Sequence, residues 1–77
     1  VTLTELAHTD DTSHGRWHRG AEAARADLRR ALTADQPDTA IAAWLKRDPA
    51  GTGRTDRAGY RAIQNTAAQL LTNGTNA

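Results

Sequence analysis

Apolar side chains recur at helical spacing in three separate stretches of this chain, and nowhere do they alternate with polar ones as a half-buried strand requires. The threonines are scattered instead of gathered into strand-like runs. This pattern predicts an all-α protein, a small three-helix bundle with an additional short N-terminal helix. The bulky side chains that can hold such a bundle are few: Leu3, Leu6, Trp17, Leu28, Leu32, Ile41, Trp44, Leu45, Tyr60, Ile63, Leu70 and Leu71. Phe and Met are absent and Ala occurs sixteen times, so the helices are expected to approach one another closely.

With 77 residues the chain supports one small core, since a chain this short buries only about 60% of the surface that its unfolded form exposes. Residues 1–77 therefore read as a single domain. It divides into an acidic segment over 1–15, a helical core over 16–73 and a frayed tail over 74–77. A large preformed substrate cavity would leave too little to hold the fold, so neither an enzyme nor a cofactor is expected. Cys is absent, which removes disulfides and thiolate metal sites as sources of stability. The longest apolar run, Ala40 to Leu45, is far short of the ~20 residues of a membrane span. A cytoplasmic chain with no membrane partner is the expectation.

Thr2-Leu3-Thr4-Glu5 has the spacing of a capping box and opens a short helix through Ala7. Thr9 to Gly15 lacks periodicity and reads as a loop. From Arg16, the apolar positions Trp17, Ala21, Ala24, Leu28 and Ala31 or Leu32 define one helical face, with Arg19, Glu22, Arg25, Arg29 and Arg30 on the surface. Asp35-Gln36-Pro37-Asp38 is a helix start, followed by the buried stripe Ile41, Trp44 and Leu45. Pro49 stops that helix near Arg47. After a loop containing Gly51 and Gly53, Thr55 or Asp56 is expected to cap a last helix with Tyr60, Ile63, Ala67, Leu70 and Leu71 inward, ending near Asn73-Gly74.

Charge is more informative in its distribution than in its total of +1. Glu5, Asp10 and Asp11 precede Arg16 with no basic residue among them, while all ten basic residues follow. On the last helix, a step of about 100° per residue gathers Arg57, Arg61, Gln64 and Asn65 on one flank. Arg pairs with guanine, and Gln or Asn with adenine; Lys46, Arg47 and Arg54 in the approach can hold phosphates. This is the sharpest functional expectation, a noncatalytic module that contacts nucleic acid, although any solvated helix flank is polar. The long connection from Asp48 to Arg54 does not fit a helix-turn-helix.

Three further constellations were weighed against it. His8, His14 and His18 lie close in sequence, and with Asp10 or Asp11 they have the donor types of a zinc site, yet isolated loop histidines explain them as well. Ser13, His14 and Asp11 are the residue types of a hydrolase triad without a nucleophile elbow, and Gly51-Thr52-Gly53-Arg54-Thr55 lacks the Lys and the strand of a phosphate loop. The competing class is a protein interaction or oligomerisation module, with Trp17 at the first turn of its helix as anchor and Trp44 as core.

Overall fold

The computed structural model describes residues 2–9, 15–49 and 53–72. Four helices follow one another: α1 (Leu3–Ala7), α2 (Arg16–Leu32), α3 (Pro37–Lys46) and α4 (Arg54–Thr72). Among the described residues there is no strand. Most of the loop expected over Thr9 to Gly15, the glycine loop at 50–52, the stop at Asn73-Gly74 and the tail at 74–77 lie outside the described residues.

α1 begins as its sequence predicts. The Thr2 hydroxyl accepts a hydrogen bond from the Glu5 amide at 3.1 Å, one arm of a capping box. The other arm differs, because the same hydroxyl faces the Glu5 carboxylate at 3.5 Å. Leu3, Leu6 and Ala7 are buried, and Arg29 of α2 donates to the Ala7 carbonyl at 2.7 Å, satisfying an orphan acceptor at the end of α1.

α2 and α4 make the principal contact, and two glycines bring them together. A Cβ on Gly20 would stand 1.7 Å from the Asp56 carbonyl oxygen, and one on Gly59 would stand 1.9 Å from that of Trp17. Only hydrogen fits at either place. Beside this crossing, Ala21, Ala24, Leu28 and Ala67 are buried with Tyr60 and Ile63. The helices run in the same sense, since Gly20 meets Asp56 near their starts and Leu32 and Leu71 border one groove near their ends.

Several expectations are corrected. α4 starts at Arg54, with the Gly53 carbonyl accepting from the Arg57 amide, so neither Thr55 nor Asp56 caps it. Asp56 is instead 8% exposed in the first turn, drawn inward by the glycine crossing. The N-cap of α3 is Gln36, without a side-chain bond, although the helix stops near Arg47 as expected, with Arg47 as its C-cap. Arg25 is buried in place of surface-lying, held by Glu22 through Nε at 3.2 Å and Nη2 at 3.0 Å. Leu71, expected inward, is 39% exposed.

A polar chain runs through the core between α2, α3 and α4. Trp44 Nε1 donates to the Tyr60 hydroxyl at 2.9 Å, and that hydroxyl donates to Asp27 Oδ2 at 2.5 Å. Arg30 donates to the other Asp27 oxygen. Burial, and then the hydrogen bond to Asp27, push the Tyr60 hydroxyl up from 10.0 to about 12.

Two predictions follow from the packing. Ala is the better helix former by about 1 kcal/mol, yet Gly20→Ala and Gly59→Ala should each lower stability in denaturant unfolding by about 3 kcal/mol, because a backbone carbonyl occupies the methyl position. Stabilisation by either change would refute the close crossing. Tyr60 is the only tyrosine, so tyrosinate absorbance reads it alone and should titrate near 12 in the folded chain and 10.0 in denaturant. Between those values the unfolded state has released its proton and the folded state has not. Stability is therefore full below the lower value and falls by about 3 kcal/mol as pH rises through the upper one, a fall that Tyr60→Phe should remove.

Candidate nucleic-acid interface

The buried face of α4 consists of Asp56, Gly59, Tyr60, Ile63, Gln64 and Ala67. The helical period then leaves Arg54, Arg57, Arg61 and Asn65 along one flank, and all four are exposed. Three cations at intervals of three and four residues form a row that rises with the helix. The only acid of α4 is Asp56, whose burial removes it from the surface that the row occupies.

α3 adds to this row through a contact that sequence reading places wrongly. Gln64 is not on the exposed flank: it is 2% exposed, and its Nε2 donates to the Trp44 carbonyl at 2.8 Å and the Arg47 carbonyl at 3.1 Å. It stands at the edge between core and flank, where a long neutral amide finds carbonyls left over at the end of α3. Gln64 is therefore withdrawn from any base contact. It holds the end of α3, where the exposed Lys46 and Arg47 lie, against α4. The Arg47 charge reaches Tyr60 and favours its ionised form, and Arg47 borders a groove with Asp27 and Arg30 of α2.

Ion pairing separates two kinds of cation. On α2, Arg25 and Arg29 meet Glu22 and Arg30 meets Asp27, while the exposed Arg16 and Arg19 at its start meet no carboxylate among the described residues. Among the described residues, no carboxylate is paired with Lys46, Arg47, Arg54, Arg57 or Arg61. Asp48 is the one exposed acid that follows directly on this group. An arginine row left in water keeps its hydrogen-bond donors free for phosphate oxygens, whereas the paired arginines of α2 are committed to the fold.

The other candidates are dispersed. His8 lies exposed with Nδ1 at 2.8 Å from the Thr4 carbonyl, and His18 stacks edge-on against Trp17 with ring centroids 5.1 Å apart. His14, Asp10, Asp11, Ser13 and the Gly51-Thr52 pair lie outside the described residues. Among those described, no three His, Cys, Asp or Glu side chains gather as a metal site requires. Trp44 is 2% exposed in the core, while Trp17, at the first turn of α2, is 40% exposed. No helix of the described residues is long and apolar enough to cross a membrane. Compared with known proteins, the chain matches no protein-family model, no curated protein and no solved structure.

Proposed function

We propose that this domain is a noncatalytic, cytoplasmic nucleic-acid-binding module that engages phosphates through the row Arg54, Arg57 and Arg61 together with Lys46 and Arg47. One observation carries the reading: Arg54, Arg57 and Arg61 lie along one exposed flank of α4, and among the described residues neither they nor Lys46 and Arg47 meet a carboxylate, as Arg25, Arg29 and Arg30 of α2 do. Asn65 continues the flank by one further turn and is the residue type that reads adenine. The arginines position the polymer and Asn65 supplies the one neutral group in line with them. Gln64 acts indirectly, by keeping the end of α3 in place.

A second reading rests on Trp17. A large ring left 40% exposed on a small domain is a natural anchor for a protein partner, and its edge contact with His18 fixes its orientation.

Fluorescence anisotropy with a labelled duplex tests the first reading. Five phosphate contacts give a slope of log affinity on log salt of about −4 to −5, and Arg57→Ala with Arg61→Ala should reduce its magnitude by about 2. Stability should stay within about 0.5 kcal/mol, as both groups are exposed and meet no carboxylate among the described residues. Binding that ignores salt, or that survives the double substitution unchanged, would sink the proposal. For the second reading, a neutral quencher should reach Trp17 and leave Trp44 bright, and a protein partner should shield Trp17; quenching of both rings alike would remove the anchor.

A further inference from the structure

α2 carries an aromatic ring that the core does not use. Trp17 is 40% exposed, and it belongs neither to the buried cluster nor to Leu32, Ala40, Leu45 and Leu70, the partly buried side chains packed against that cluster. Its place is fixed all the same. The Trp17 carbonyl lies at the glycine crossing, 1.9 Å from where a Gly59 Cβ would stand, and the ring meets His18 edge-on with centroids 5.1 Å apart. Trp44, by contrast, buries its ring and commits its indole N–H to Tyr60.

The same crossing brings the starts of α2 and α4 together, since Gly20 meets Asp56. The first turn of α2 holds Arg16 and Arg19, both exposed and on either side of Trp17 in sequence, and no acid. That of α4 holds the exposed Arg54 and Arg57, and its one acid, Asp56, is buried. The exposed side chains of these two turns therefore combine an aromatic ring with four arginines and no carboxylate. A polyanion complements the charge, and a nucleic-acid base lying flat complements the ring. In a duplex the bases stack on one another and show only their edges in the grooves, so an open aromatic face is of use to an unpaired base.

We propose that Trp17 stacks an unpaired base of a single strand whose phosphates lie on Arg16, Arg19 and Arg54. The inference rests on the phosphate reading of the arginine row and gives that reading its substrate class, single-stranded nucleic acid in preference to duplex. Every base has a flat face, so the ring selects for strandedness and not for sequence.

Tryptophan fluorescence of the intact chain, titrated with a mixed-sequence oligonucleotide as single strand and as duplex, tests the proposal. The single strand should quench Trp17 and the duplex should not. Trp17→Phe, which leaves Trp44 as the sole tryptophan, should lose the quenching while binding persists on the phenyl face. Trp17→Ala should weaken the single strand about tenfold by anisotropy and leave the duplex unchanged. Arg16→Ala with Arg19→Ala should lower the magnitude of the single-strand salt slope by about 1.4. A strand that binds without quenching Trp17, or a Trp17→Ala variant that weakens both forms alike, overturns the stacking while the arginine row keeps its phosphates. Failure of both forms to bind at low salt removes the phosphate reading as well, and gives Trp17 to a protein partner.

Discussion

The close passage of α2 over α4 is the constraint from which the rest of the molecule follows. Gly20 and Gly59 allow two backbones to touch, and at that spacing methyl groups fill the space that larger side chains would need. Each glycine weakens its own helix by about 1 kcal/mol, a loss offset by the contact it permits. The crossing also determines what happens to Asp56, whose own carbonyl lies in the contact. Its side chain is carried inward, and one oxygen, Oδ1, is left without a hydrogen-bond partner. The exposed surface of α4 is then left with arginines and no acid. Packing in the core thus decides charge outside it.

Polar groups inside such a small core specify where α3 sits. Apolar contact alone would let a ten-residue helix slide, because one alanine-rich surface resembles the next. The Trp44, Tyr60 and Asp27 chain fixes the middle of α3 against both long helices, and the Gln64 amide fixes its end. These bonds are directional, and each lost partner strands a buried group at a cost of about 1–3 kcal/mol. The unpartnered Gln64 Oε1 shows that this arrangement is satisfied incompletely. What the network supplies beyond stability is register, and the register of α3 sets where Lys46 and Arg47 stand.

Helix existence, the burial of Ala21, Ala24, Leu28, Ile41, Trp44, Tyr60, Ile63 and Ala67, and the exposure of the arginine row are all legible in the sequence, because each depends only on the period of a helix. The glycine crossing is not. A glycine inside a helical pattern has no apolar character to mark it, and nothing local says that a second glycine lies opposite. Arg25, Asp56 and Gln64 were lost for a related reason: periodicity gives an angle around one helix, while burial depends on which neighbour covers that angle. Glu22 beside Arg25 is visible at a spacing of three, and it hinted at a pair without revealing that the pair's arginine is enclosed. The nearness of Arg47 to α4 required the Gln64 bond, a contact across 17 residues that no local pattern encodes.

The two ends of α3 carry opposite character, with Asp38 in its first turn and Lys46 and Arg47 at its end. A helix rises about 1.5 Å per residue, so these charges are separated by roughly 12 Å, more than the ~8 Å over which salt screens exposed charges at physiological strength. Electrostatic coupling between the two ends is therefore weak. Mechanical coupling through α3 is weak too, because Trp44 and Gln64 pin the helix rather than leaving it two positions to exchange between.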